Sequence, residues 1–315
     1  MSAGELARGR RPRRRLLWFV LVGMLLLLVV YLGVGAVAAS QLSVPRREFY
    51  PENAAVLGAP YQDVRFPART DGVEIAGWYV PRAGATRAVI IVHGKDQSRS
   101  TELHDTYPVG RYTEFAGKVQ AAGFAVLMID LRGHGQSGPG RFTFGQTERR
   151  DVMGAADWLK TQGFKPGSIG ALGISLGAAS SLGATVEDTD IGALVIDSCF
   201  AEWCPVLQAG WREGSGLPDL FLPPSLLMMR VLYGVDMCAS RPVAEIGRIA
   251  PRPVLIIHTP KDTAIPLADA ERNKGALATA ELWVATGLAH ARNYNADPAE
   301  YVKRVTEFFD KGLAK

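Results

Sequence analysis

A serine hydroxyl, an imidazole and a carboxylate in the right chain order can carry nucleophilic catalysis, and this sequence offers such a set. Gly173-Ile174-Ser175-Leu176-Gly177 fits the pattern G-x-S-x-G. It follows the apolar run Ile169–Ile174 and opens a stretch of small residues, Ala178-Ala179-Ser180-Ser181. That context implies a strand, a sharp turn and a helix. Such a turn leaves no room for Cβ atoms at the two glycines. It lifts the serine above the strand end and aims a helix N-terminus at a developing oxyanion. The same residues would also suit a plain strand–helix turn with a capping serine.

The hydroxyl needs a base, and the base needs an orienting acid. In strand–turn–helix sites the chain order is serine, then carboxylate, then histidine. Downstream of Ser175 there are only His258 and His290. His258 ends an apolar run and reads as a strand-end residue. His290 lies in Gly287-Leu288-Ala289-His290, a loop after the last short strand, and is the expected base. Asp262 follows the penultimate strand at the same sheet edge and is the expected acid, with Asp236 in reserve. Asp262 could instead cap a helix near Leu267–Leu277. The backbone amides of Leu176 and Lys95 are the expected oxyanion donors, with Asp96 as the weaker alternative to Lys95. The side chains of His93 and Lys95 are not expected to react.

Positioning these groups takes a sheet. Asp63–Phe66 and Glu74–Val80 flank the turn signal Thr70-Asp71-Gly72 and read as a hairpin. Ala88–Val92, Phe124–Asp130, Ile169–Ile174, Ala193–Asp197 and Val254–His258 are short continuous apolar runs, as buried parallel strands require. Glu281–Val284 is a further short one. Helical patterns lie between them at Arg111–Ala122, Gln146–Gln162 and Leu176–Ala184, and Asp297–Lys311 closes the chain. Alternation of strands and helices implies an α/β fold, a mostly parallel sheet covered on both faces. Residues 199–250 break the alternation. They hold large apolar residues such as Trp203, Trp211, Met228 and Met229, and read as a helical cap or as packing at the sheet edge.

Before the sheet, Leu16–Ala39 runs 24 residues without a charge, enough to span a bilayer core. The expected organisation is therefore a basic tail (1–15), a transmembrane helix (16–39), a linker (40–60) and a catalytic domain (61–315). Six arginines precede the apolar run, which by the positive-inside rule puts the tail in the cytoplasm and the domain outside. Ala36-Val37-Ala38 also fits a signal cleavage site, so secretion is the alternative. The net charge of +4 comes from the tail, which carries +5 and leaves −1 for residues 16–315. A near-neutral domain argues against nucleic-acid binding.

Three cysteines, Cys199, Cys204 and Cys238, show no metal-ligand spacing. They allow one disulfide, between Cys238 and either Cys199 or Cys204, or three free thiols. No metal or organic cofactor is implied. The sequence carries no signal for oligomeric state.

The runs IIVHGKDQSRS, AAGFAVLMIDLRGHGQSG, GALGISLGAASSL, ALVIDSCFA, RPVLIIHTPKDTAIP and GLAHARNY span residues 90–294. Together they resemble the α/β-hydrolase superfamily, and within it small anchored or exported hydrolases. The resemblance implies a serine hydrolase with Ser175, Asp262 and His290 as its triad. It also implies that Asp130, Arg132, Gly133, His134 and Gly135 shape a loop. Thr259-Pro260 departs from the usual glycine-led turn before the acid, and Lys95 stands where many relatives have a small or aromatic residue. The expected substrate is a small-molecule or lipid-like ester or thioester. A peptidase using the same triad and a binding protein that kept the fold are the alternatives.

Overall fold

Continuous apolar runs become neighbouring strands wherever both faces of a sheet are covered, and that is the case here. The computed structural model describes residues 10–101 and 112–314. Its sheet has eight strands in the order β1-β2-β4-β3-β5-β6-β7-β8. They are β1 (Gln62–Pro67), β2 (Glu74–Val80), β3 (Ala88–Val92), β4 (Ala125–Ile129), β5 (Ile169–Ile174), β6 (Ile191–Asp197), β7 (Val254–His258) and β8 (Glu281–Val284). β1 and β2 form the expected antiparallel hairpin, and β2 joins β4 antiparallel. The rest of the ladder is parallel.

Every residue of β3 to β7 is buried, whereas β1 and β8, the two edges, are partly exposed. One face packs on α2 (Tyr112–Ala121) and α8 (Pro298–Gly312). Val89 and Ile91, Leu172 and Ile174, and Leu255 and Ile257 share a core there with Phe115, Tyr301 and Phe309. On the sheet side opposite this core lie α3 (Arg149–Thr161) and α4 (Leu176–Glu187), and α7 (Leu267–Ala276) packs on β7 and β8. α8 opens as its sequence dictates: Pro298 takes the first turn and the Asp297 side chain accepts from the Glu300 amide at 3.0 Å. Of the expected helix Arg111–Ala122, Arg111 lies outside the described residues, as does most of the basic tail.

Part of the expected linker is packed rather than free. Pro51–Leu57 is a 3-10 helix with Ala54 and Leu57 in the core beside α2. A Cβ at Gly117 of α2 would come within 2.1 Å of the Leu57 carbonyl oxygen, so only glycine permits that approach.

The chain divides into two compact units. Val44–Ala209 with Met237–Lys315 contains the sheet. The residues up to Ser43 form the other with Gly210–Asp236. Residues 199–250 hold no strand; they contain α5 (Trp203–Ser215), α6 (Leu222–Tyr233) and short 3-10 turns. The middle of the expected cap thus forms one unit with the N-terminal helix α1 (Arg10–Leu42). Cys204 and Cys238 are disulfide-bonded, and Cys199 is free and buried.

Candidate active site

Ser175 sits between β5 and α4 with φ 53° and ψ −112°, a left-handed conformation that a residue other than glycine adopts at a cost. The flanking glycines make it possible. A Cβ at Gly173 would lie 2.1 Å from the Gly177 carbonyl oxygen, and one at Gly177 would lie 2.4 Å from those of Val92 and His93. The second contact also shows that the loop after β3 is pressed against the turn. The Ser175 amide donates to the Asp197 carbonyl at 2.9 Å, which ties the turn to β6.

His290 reaches this serine from the loop after β8. Its Nε2 lies 2.9 Å from Ser175 Oγ, and its Nδ1 lies 2.7 Å from Asp262 Oδ2. With the proton on Nδ1, the ring donates to Asp262 and accepts from the serine. The Asp262 side chain is buried. Its Oδ1 accepts from the amides of Ala264 at 3.0 Å and Ile265 at 2.8 Å, which fixes the carboxylate plane. Ser175, His290 and Asp262 are therefore brought together in one hydrogen-bonded chain. His258 is not part of it: it ends β7, is buried, and its Nε2 donates to the Ile265 carbonyl at 2.9 Å. Asp236 belongs to the other unit.

Leu176 is the first residue of α4, so its amide has no acceptor within the helix. Lys95 follows His93-Gly94 in the loop packed on the serine turn. Its side chain is engaged elsewhere, 2.5 Å from Asp96 Oδ2 and 4.9 Å over the Phe142 ring. His93 orders this loop: Nδ1 donates to the Gly94 carbonyl at 2.7 Å and Nε2 accepts from the Leu131 amide at 3.0 Å. Burial pushes His93 down to about 4, and burial beside His93 does the same to His134. The loop Asp130–Gly138 is structural. Asp130 is buried against Arg99 and accepts from the amides of Arg99 and Gln136.

A second buried polar cluster holds the histidine loop, and the sequence reading did not single it out. Asp197, at the end of β6, accepts from Ser198 Oγ at 2.9 Å, Asn293 Nδ2 at 2.6 Å and Tyr301 OH at 2.8 Å. Ser198 Oγ in turn accepts from the amide of Ala291, next to His290, at 3.1 Å. Burial pushes the Asp197 carboxyl up, and the three donors offset part of that rise. The available signal was a carboxylate closing a continuous apolar run at the same sheet edge as Ser175.

Among the described residues no group of three or more His, Cys, Asp or Glu side chains could hold a metal ion. An aromatic group of Phe142, Phe144, Phe200 and Trp203 lies in the sheet-containing unit, with Trp203 stacked on Phe144 at 3.6 Å. A Cβ at Gly145, next to Phe144, would lie 2.9 Å from the Ala179 backbone, so this segment packs against the first turn of α4.

Residues 60–217 match the family model described as X-Pro dipeptidyl-peptidase (S15 family). The chain is 30% identical over 249 residues to the uncharacterized protein YqkD of Bacillus subtilis, covering 76% of each. The chain belongs to the S15 family of α/β hydrolases. This S15-family chain is also similar in structure to an esterase of Pyrococcus furiosus, with 26% identity and a TM-score of 0.65. That match covers 87% of this chain and 98% of the esterase. At 18% identity and a TM-score of 0.60 it shares its fold with a 2,6-dihydroxy-pseudo-oxynicotine hydrolase, over 82% of this chain and 71% of that one. The S15-family chain is a serine hydrolase of the α/β fold.

Proposed function

We propose that this hydrolase cleaves carboxylic esters or thioesters through an acyl-serine on Ser175. The observation that carries the reading is the unbroken path from Asp262 through His290 to Ser175. Ser175 Oγ attacks the carbonyl carbon while its proton passes to His290 Nε2. Asp262 holds the ring in the tautomer that can accept that proton and stabilises the imidazolium. The carbonyl electrons move onto oxygen, where the amides of Leu176 and Lys95 receive the charge. Collapse expels the alcohol or thiol, which takes the proton from His290. Water, activated by the same imidazole, then releases the acid and restores the serine.

The similarity to a Pyrococcus furiosus esterase supports the ester reading. The S15 model match favours a second one, a peptidase with the same triad, in which the expelled group is an amine. A fluorophosphonate probe should label the protein and fail to label Ser175→Ala. Turnover of p-nitrophenyl esters without turnover of peptide anilides supports the ester reading, and the reverse result replaces it by the peptidase.

The same proposal places the enzyme in a membrane, with α1 as a single span, the N-terminus in the cytoplasm and the catalytic domain exported. Arg14–Leu42 is long and apolar enough to cross a bilayer, and its most apolar window is unburied. The Cys204–Cys238 disulfide fits an oxidising compartment. External protease should reach the domain in intact cells, while the mature chain keeps its arginines. A mature N-terminus at Ala39 would establish cleavage instead.

A further inference from the structure

The helix α6 is too apolar for an exposed surface element. Its sequence, LPPSLLMMRVLY, carries one charge in twelve residues. Leu222, Pro224, Ser225 and Met229 are buried. Pro224 and the residues just before the helix pack on α1: a Cβ at Gly35 would lie 2.7 Å from the Pro224 backbone, the Tyr31 ring meets Phe221 at 5.8 Å, and Tyr31 OH donates to the Leu220 carbonyl at 2.8 Å. Among the described residues, none covers the other side of α6. Leu227 and Val231, one turn apart, are 50% and 64% exposed, and Leu220 and Leu232 are exposed as well. A stripe of aliphatic side chains is costly in water and marks a surface that meets an apolar partner.

The position of that stripe along α1 identifies the partner. At 1.5 Å per residue, Tyr31 and Gly35 lie about 22 and 28 Å from Leu16 along the helix axis. A hydrocarbon core is about 30 Å thick. If the core begins near Leu16, α6 meets α1 at the far boundary of the core, where acyl chains give way to headgroups. The lipid-exposed flank of α1 is then continuous with the exposed flank of α6. Arg230, in the last turn of α6 and 3.7 Å from Asp236, has the long side chain that reaches back to headgroups from that depth.

We infer that residues 219–232 form a monotopic arm embedded in the acyl-chain region of the leaflet facing the folded domain, with Leu220, Leu227, Val231 and Leu232 in contact with lipid. The inference rests on the reading of α1 as a bilayer span. The partner is a lipid surface, and the arm gives the chain a second membrane contact beside the span.

The test uses full-length protein in phosphatidylcholine–phosphatidylglycerol vesicles, with a nitrobenzoxadiazole probe on single introduced cysteines. Labelling is done without reduction, because Cys199 is buried and Cys204 and Cys238 are paired. Leu227→Cys and Val231→Cys report the arm, Leu26→Cys reports the span, and Gln162→Cys, on the exposed end of α3, reports water. The arm probes should emit to the blue of Gln162→Cys and lose about twofold in intensity to a shallow 5-doxyl lipid, more than to a 12-doxyl lipid. Leu26→Cys should be quenched more by the deeper label. Quenching at Leu26→Cys with water-like emission at both arm positions overturns the arm and leaves the span standing. No quenching at any position overturns both. Blue emission at the arm without lipid quenching, together with disulfide-linked dimers of unlabelled Leu227→Cys, means that a second copy covers the stripe and also overturns the inference.

Discussion

The loop that carries His290 and the helix α6 are both held by few residues, but by opposite physics. Around His290 the cohesion is polar and dry. Asp197, Ser198, Asn293 and Tyr301 exchange hydrogen bonds inside the protein, and each donor has a defined acceptor. Around α6 the cohesion is apolar and shape-based, with Gly35 yielding to Pro224 and a bare aliphatic flank left over. Hydrogen bonds fix angle and distance, as the 2.7 and 2.9 Å contacts linking Asp262, His290 and Ser175 show. Aliphatic contact fixes neither closely, and tolerates a partner as variable as lipid.

The largest expected effect breaks the polar side at its centre. Ser175→Ala or His290→Ala should lower esterase turnover by roughly three to four orders of magnitude while thermal unfolding stays within a degree or two of wild type. Hydrolysis near the wild-type rate in Ser175→Ala would remove the serine from the mechanism.

The next effect concerns the disulfide that closes the segment bearing α6. Opening a loop with a sequence separation of 34 costs about 3–4 kcal/mol in the chain-entropy account. Cys204→Ser with Cys238→Ser should therefore lower the unfolding midpoint and make residues 205–237 the first site of proteolysis, while fluorophosphonate still labels Ser175. An unchanged digestion pattern would mean that packing on α1 alone holds the arm.

Acid should then separate the two regions. His93 and His134 titrate near 4 in the folded chain because burial disfavours the imidazolium, against about 6.5 in the unfolded chain. The unfolded state binds the extra protons between those values, so stability is intact above about pH 6.5 and falls as pH drops toward 4. The loss is on the order of 3 kcal/mol per histidine at most. The arm has no histidine. Calorimetry from pH 7 to 4.5 should show a falling midpoint whose slope is shallower in His134→Phe; an equal slope assigns the acid sensitivity to other groups.

The smallest effect sharpens the role of the buried cluster. Asn293→Ala removes one of three donors to Asp197 and should cost about 1–3 kcal/mol. If the cluster positions His290, kcat falls several-fold with KM nearly unchanged, and the pH profile of kcat shifts. A stability loss with unaltered kinetics would confine the cluster to structure.

Much of the sheet was legible in the sequence because strands buried on both faces read as unbroken apolar runs. Ala88–Val92, Ile169–Ile174 and Val254–His258 have the bounds that the pattern suggested. Chain order and strand-end position were enough to select Ser175, His290 and Asp262, the side chains that the fold brings within hydrogen-bond reach. The Asp197 cluster was not legible, since its members are separated by 96 and 104 residues and meet only when β6 packs against α8 and the short turn Asn293–Ala296 before it. The pairing of α1 with α6 was hidden for the same reason. Tyr31 and Leu220 are 189 residues apart, and Gly35 looks like any glycine of an apolar helix until Pro224 lies against it. Pro51–Leu57 lies in the stretch 40–60, where Pro45, Pro51 and Pro60 signal a linker and give no hint that Ala54 and Leu57 join the core.

Cys199 has a consequence for how the chain acquires its one crosslink. Three thiols allow three pairings during oxidation, two of them wrong. In the folded domain Cys199 is enclosed at the end of β6, and burial pushes its thiol well above the usual range. Exchange runs through the thiolate, so this sulfur neither attacks the Cys204–Cys238 bond nor is reached by an oxidant. In the folded domain the Cys204–Cys238 bond is therefore shielded from exchange with the chain's third sulfur.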